Sequence, residues 1–309
     1  MSFASQAREE IAGRSLQKDC CVCAAAYGIA CFAKYFDAKG LVLQTEQLIT
    51  AQTADNLFAR CGVQGEIAEK LRPSGTVYEF SIRDTEQVRR MHELFGTTGN
   101  ETSLQIDPKL IHCNTCVSAY IGAAFLCSGT VTDPQKEYNL EFVTARTNLA
   151  KDFEALLAEH EFAPHRTRRS GVNLVYVKTG TNVERLLEFM GAVDAAEQMK
   201  QLKAVKQIRN QINRHNNCDT ANFGKTARAN AQTLKAIRYL QEKKALETLP
   251  EPLQEAAAKR MENPDLSLTA LCKCFEPEMS KSGLSHRMKK IEAIAEALRE
   301  RLEQGEAEV

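Results

Sequence analysis

Ala26-Tyr27-Gly28-Ile29-Ala30-Cys31-Phe32 and Ala119-Tyr120-Ile121-Gly122-Ala123-Ala124-Phe125 are two versions of one phrase. Both are uncharged runs of small and aromatic residues. Such runs suit helices that pack closely, because interaxial distance is set by the side chains at the contact. The surroundings repeat as well. Each phrase leads into a strand-like run, Leu41–Thr45 or Leu140–Thr144. An amphipathic helix follows, over 50–62 or 146–159. A second strand comes next, Val77–Ile82 or Val172–Val177, and a helix closes each copy, over 84–95 or 181–190. Alternation marks the strands and 3.6-residue spacing marks the helices. Residues 1–192 therefore read as one α/β unit written twice, over about 1–96 and 109–192. Gly96–Pro108, rich in Gly, Thr and Asn, joins the copies. The pattern predicts that the two small-residue helices pack on each other about a pseudo-two-fold axis.

Beyond Asp194 the composition turns helical, with no strand pattern. Residues 193–235 read as a basic helical linker and 236–303 as a separate helical domain. Lys200, Lys203, Lys206, Arg209, Arg214, Lys225 and Arg228 share 200–228 with a single acid, Asp219. The whole chain is neutral, with 40 basic and 40 acidic residues, so this segregation is what bears on a nucleic-acid partner. Asn210, Asn213 and Asn217 share one helical face there, with Arg214 one step round. Asn and Arg are base-edge and phosphate ligands, which favours DNA contact. The alternative is a helix end, with Asp219 or Thr220 capping a new helix from Ala221.

The end of the chain holds a second motif. Asp265 or Ser267 can cap a short helix over Leu268–Phe275. Glu276-Pro277-Glu278-Met279 then breaks it. Ser280 suits the N-cap of the next helix, whose Leu284, Met288, Ile291, Ala295 and Leu298 share one face. Its other face presents Ser282, Ser285, His286, Lys289 and Lys290, flanked by Lys281 and Arg287. This is a helix-turn-helix with a basic recognition helix, or else a helical hairpin with a solvated basic face. The tail after Leu302 is acidic and expected to fray.

These residues carry a resemblance. Arg209–Thr226, including Asn213, Arg214, Asn217, Asn222 and Lys225, is similar to the signature of the WhiA family of bacterial regulators. Ser267–Leu271 and Ser280–Ile291 resemble that family's helix-turn-helix, and Asn173–Lys178 and Gly191-Ala192 fit its pattern. The resemblance implies an α+β protein, with a degenerate LAGLIDADG homing-endonuclease domain followed by an all-α helix-turn-helix domain. It implies a DNA-binding transcriptional regulator linked to cell division, chromosome segregation or sporulation, with a WhiB-type iron–sulfur protein as a partner. The expected contacts to double-stranded DNA are Ser267, Ser280, Lys281, Ser282, Ser285, His286, Arg287, Lys289, Lys290, Arg209, Asn213, Arg214, Asn217, Asn222 and Lys225.

A LAGLIDADG nuclease needs an acid at the base of each paired helix to hold divalent metals. Laid on that motif, the acid positions fall at Ser128 and, by a repeat offset of 93, at Tyr35. Neither is a carboxylate. Asp37 and Asp133 stand a few residues away. No catalytic residue and no cofactor is therefore expected. Residual endonuclease activity, or a scaffold that binds a partner regulator through the N-terminal domain, are the alternatives.

Eleven cysteines, an odd number mostly inside apolar helical patterns, argue against a secreted disulfide framework. Cys113-x-x-Cys116, beside His112, and Cys272-x-Cys274 read as small core residues. A structural zinc site needs four ligands, and no second pair stands at a usable spacing along the sequence, so no metal is expected. Cys20–Ala33 is too short to span a bilayer, which takes about 20 residues. The expected location is cytoplasmic and nucleoid-associated, away from any membrane.

Overall fold

A computed structural model describes residues 2–73 and 75–306. The chain divides into two compact units that part between Gln207 and Ile208.

The N-terminal unit opens with helix α1 (Phe3–Ala12) and then repeats one pattern twice. The first copy is α2 (Asp19–Phe32), strands β1 (Tyr35–Asp37) and β2 (Gly40–Thr45), α3 (Leu48–Arg60), β3 (Glu66–Arg72) and β4 (Gly75–Ile82), then α4 (Thr85–Phe95). The second is α5 (Asn114–Ser128), β5 (Gly129–Val131), β6 (Leu140–Thr144), α6 (Thr147–Glu159), β7 (His165–Arg169), β8 (Val172–Val177) and α7 (Gly180–Met190). The sheets run β1-β2-β4-β3 and β5-β6-β8-β7, with every pairing antiparallel. The inferred repeat is thus present element for element. β1, β3, β5 and β7 are additions to the sequence reading. β3 and β7 are edge strands exposed at every described position, so no apolar alternation betrays them. β1 and β5 are three residues each.

α2 and α5 are the spine. Cys21 near the start of α2 meets Cys116 near the start of α5, Gly28 meets Tyr120 and Ala123, and Ile29 meets Cys127 near the helix ends. The helices therefore lie side by side and parallel. A Cβ on Gly28 would stand 2.7 Å from the Tyr120 carbonyl oxygen, so only glycine admits this approach. Tyr27, Tyr120, Phe32 and Phe153 fill the flanks with tilted and edge-on ring contacts. The Gly96–Pro108 segment carries no helix or strand before the 3-10 turn Pro108–Leu110. It is nonetheless tied down: the Tyr27 hydroxyl donates to the Gln105 carbonyl, and the amides of Asp107 and Ile106 donate to Tyr27 and Asp152.

One uninterrupted helix, α8 (Val193–Glu242), replaces the helix break considered at Asp219 or Thr220, which cap nothing. Its start belongs to the N-terminal unit. Ala195, Ala196 and Met199 are buried there, and the Glu10 carboxylate accepts from the Asp194 and Ala195 amides. The C-terminal unit adds α9 (Glu251–Glu262), α10 (Leu268–Cys272) and α11 (Lys281–Glu306). Its core is Ile237, Leu240, Leu253, Leu271, Phe275, Leu284, Met288 and Ile291. Pro250 and Pro252 mark the start of α9 and Asn263 its end. α10 stops earlier than expected, at Cys272 rather than Phe275. The tail stays helical past Leu302, to Glu306, and residues 307–309 lie outside the described range. No described helix is long and apolar enough to cross a membrane.

Candidate nucleic-acid interface

α10 and α11 are started by serines. The Ser267 hydroxyl accepts from the Ala270 amide at 3.2 Å, and the Ser280 hydroxyl accepts from the Gly283 amide at 3.1 Å. Each satisfies one of the free N–H groups of a first helical turn. Asp265 does not cap; Ser267 does. Between the helices, the Met279 amide returns to the Cys272 carbonyl at 3.2 Å and closes the turn. Leu284, Met288 and Ile291 then bury one side of α11 against α9 and α10. This leaves Ser280, Lys281, Ser282, His286, Lys289 and Lys290 exposed or at the margin, with Ser285 at the edge of the buried face.

Arg287 is placed differently. Its guanidinium donates to the Pro252 carbonyl at 3.3 Å and lies 3.6 Å from the Glu255 carboxylate. It is turned toward α9 and braces α11 from behind. A long side chain at the margin of a buried face can reach its neighbour's free carbonyls in this way.

A second arginine, fully buried, shapes the loop before α10. Arg260 is 1% exposed and donates to the Leu266 carbonyl at 2.7 Å, while Asn230 donates to the Pro264 and Leu266 carbonyls. Burial lowers the Arg260 pKa from its ordinary value. Neither residue stands out in the sequence, since nothing local distinguishes them from surface polar side chains.

The basic stretch of α8 splits in two. Lys203 pairs with Glu184 at 2.6 Å, Lys206 donates to the Pro134 carbonyl at 2.7 Å, and Lys200 faces Glu197 at 3.5 Å. These charges are engaged within the N-terminal unit. Arg209, Asn213, Arg214, Asn217, Asn222, Lys225 and Arg228 lie on the following, exposed part of the helix. Asn222 touches Cys218 there, and His215 faces Asp219 at 3.0 Å.

The N-terminal unit offers the ends of α2 and α5, which run directly toward β1 and β5. Ser128 is the last residue of α5, whereas α2 ends at Phe32. Tyr35 lies in the strand, outside the helix. Asp37 and Asp133 cap turns, accepting the Lys39 and Gln135 amides at 2.8 Å each. The helix ends are met by arginines instead. Arg146 donates to the Cys31 and Ala33 carbonyls at 2.7 and 2.9 Å. Arg8 donates to the Gly129 carbonyl and lies over the Phe125 ring. A cation is favoured at a helix C-terminus, where unpaired carbonyls collect negative potential.

On the open face of the first sheet, Lys70, Arg83 and Gln44 surround Glu79 at 2.7, 3.1 and 2.7 Å. The hydrogen bonds from Lys70 and Gln44 hold its carboxyl below the usual range, against the opposing effect of burial. In the second sheet β7 carries Arg166, Arg168 and Arg169, all exposed, with Arg166 paired to Glu154. The run His-Arg-Thr-Arg-Arg at 165–169 is a basic signal visible in the sequence and absent from the expected contacts.

One further cluster was missed outright. The Sγ atoms of Cys20, Cys21, Cys113 and Cys116 all lie within 4.8 Å of one another. The second pair that seemed absent along the sequence is supplied across the fold, from the start of the other spine helix.

Over residues 212–295 the chain matches the family model described as the WhiA C-terminal HTH domain, and over 117–209 that described as the WhiA LAGLIDADG-like domain. It is 30% identical to the "Probable cell division protein WhiA" of Caldicellulosiruptor bescii, over 97% of this chain and 96% of that protein. The chain belongs to the WhiA family. The WhiA relative from Clostridium acetobutylicum is 36% identical over 72% of each chain. Among solved structures, full-length DUF199/WhiA from Thermotoga maritima superposes with a TM-score of 0.61 at 20% identity, covering 96% of this chain and 99% of that one. The N-terminal LAGLIDADG domain of DUF199/WhiA gives 0.51 at 14% identity, over 62% and 90%. At these identities the structural likeness speaks for the fold. The WhiA helix-turn-helix model spans α9, α10 and the first half of α11, so the serine-capped helix described above lies inside it.

Proposed function

We propose that this chain is a DNA-binding transcriptional regulator, cytoplasmic and nucleoid-associated, that holds duplex DNA through α11 and does not cut it. The observation that carries the reading is the start of α11. Lys281, His286, Lys289 and Lys290 are exposed on a helix whose other side is buried. A helix presented this way fits the major groove, with serines and free amides at its start able to meet a phosphate. Ser267, Ser280, Ser282 and Ser285 supply the short polar contacts. Arg209, Asn213, Arg214, Asn217, Asn222 and Lys225 extend the interface along α8. The names of the relatives point to cell division as the setting. Chromosome segregation and sporulation control, with a WhiB-type partner, are what the family resemblance adds.

Loss of cutting follows from what meets the helix ends. Arg8 and Arg146 bring positive charge to the place where a LAGLIDADG nuclease gathers carboxylates around divalent metals. Like charge repels a metal ion there.

The test is fluorescence anisotropy with duplex fragments at several salt concentrations. Affinity should fall steeply with salt. Lys289→Ala with Lys290→Ala should reduce the slope by about 2, one for each phosphate left without its lysine. Binding that ignores salt and both lysines would overturn the interface. Incubation with supercoiled plasmid and Mg2+ or Mn2+ should leave it intact; nicked or linear product abolished by changing Asp37 or Asp133 would overturn the non-cutting reading.

A further inference from the structure

The four-cysteine cluster is built by two helix starts. Cys20 and Cys21 stand in the first turn of α2, Cys113 is the N-cap residue of α5, and Cys116 lies in its first turn. Between the pairs lie about ninety residues of chain, so only the side-by-side packing of the spine helices brings them together. The Sγ separations are 3.9 Å for Cys20–Cys21, 3.9 Å for Cys21–Cys113, 3.5 Å for Cys113–Cys116 and 3.8 Å for Cys116–Cys21.

These distances have a simple meaning. Four sulfurs at about 2.3 Å from one tetrahedral zinc ion stand about 3.8 Å from each other, since a tetrahedron's edge is about 1.63 times its radius. Four of the six edges, at 3.5 to 3.9 Å, are close to that length, and the two from Cys20 to Cys113 and Cys116 lie within 4.8 Å. A polynuclear iron–sulfur cluster inserts several irons and sulfides between its cysteines and holds the thiolates farther apart. A disulfide engages two sulfurs at about 2.05 Å and would leave the other two without a role.

The surroundings fit. Cys21 and Cys116 are buried, at 1% and 0% exposure, while Cys20 and Cys113 are half-buried and leave an approach from solvent. Two helix N-termini converge on the sulfurs, and their free N–H groups favour negative charge.

We propose that Cys20, Cys21, Cys113 and Cys116 form a tetrathiolate site for a single thiophilic metal ion, zinc by preference, that clips the N-terminal ends of α2 and α5 together. On binding, the four thiols lose their protons to solvent and the metal stays divalent, so no electron is transferred. The clip stands at the helix ends away from β1 and β5. It would tie the two repeats together at the point where the Gly96–Pro108 connection returns to the spine. This site is independent of the DNA-binding reading.

The experiment uses the full-length chain, purified with reductant under anaerobic conditions. Elemental analysis should find one zinc per chain. After removal of metal, titration with Co2+ should saturate at one equivalent, with thiolate-to-cobalt charge-transfer absorption and the ligand-field bands of tetrahedral cobalt. Added Zn2+ should erase those bands. Zinc should also raise the thermal midpoint of the wild-type protein over the metal-free form. Cys113→Ser with Cys116→Ser should lose the cobalt spectrum, while Cys218→Ser should keep it. Wild-type protein that takes up neither Co2+ nor Zn2+ overturns the site even if the double variant fails to fold. So does an iron–sulfur chromophore, a disulfide among the four, or a cobalt spectrum that survives in the double variant.

Discussion

Gly28 is where a single atom decides the N-terminal spine. Its absent Cβ allows the α5 backbone to approach, with the Tyr120 carbonyl oxygen 2.7 Å from where that carbon would stand. Because the obstacle is backbone rather than a flexible side chain, it cannot swing away. Gly28→Val should destabilise the N-terminal unit by about 2–3 kcal/mol through overpacking. For a unit of this size that is a fall of about 4–12 °C in Tm, to be read by calorimetry. An unchanged Tm would mean the spine helices have room to spare. Gly28 was legible in the sequence as part of a small-residue run. The second copy of the phrase named the partner helix as well, but not the residue met, because a run of small residues says that something comes close without saying which atom.

At the scale of elements, α11 divides its charged residues between two tasks. Arg287 reaches back to Pro252 and Glu255 on α9, while Lys289 and Lys290 face solvent. Arg287→Ala should lower the stability of the C-terminal unit by about 0.5–1 kcal/mol, the modest value expected of a partly exposed pair. Lys289→Ala should leave stability within about 0.5 kcal/mol and weaken DNA binding. Urea denaturation and anisotropy on the same two variants separate the roles; a large stability loss in Lys289→Ala would contradict this division. Ser280→Ala should cost about 1 kcal/mol at the start of α11. Hydrogen exchange should register that loss at the Gly283 amide, and an unchanged exchange rate there would show that Ser280 caps nothing. The serine caps and the apolar face of α11 were readable from spacing alone, because capping and periodicity act between residues a few positions apart. The reach of Arg287 to α9 was not readable, because spacing puts it at the edge of a face and does not say which neighbour lies beyond that edge.

At the scale of the molecule, each unit has its own buried core. The chain cut between Gln207 and Ile208 should therefore yield a C-terminal fragment that still binds DNA. The N-terminal sheets mix charges on their surface, with Lys70 and Arg83 committed to Glu79 and Arg166 to Glu154. The fragment should accordingly keep most of the salt dependence of the full chain, with slopes of log K against log salt agreeing to within about 2. A full-length slope much steeper than that would assign phosphate contacts to the N-terminal unit, with Arg168 and Arg169 as the first residues to change. The repeat organisation behind the N-terminal unit was legible because both copies preserve the same order of periodicities. Its exposed edge strands were not, since a strand solvated on both faces has no alternation to read.

By itself the sequence determined the doubled α/β pattern, the all-helical second part, the serine-started helices and the basic character of α11. All of these depend on interactions between residues close along the chain, or on a pattern written twice. Tertiary structure alone decided the turn of Arg287 toward α9, the arginines at the ends of α2 and α5, and the meeting of Cys20 and Cys21 with Cys113 and Cys116. Each is a contact whose partner is fixed by how elements pack, and no local spacing encodes which face of one helix will meet which end of another.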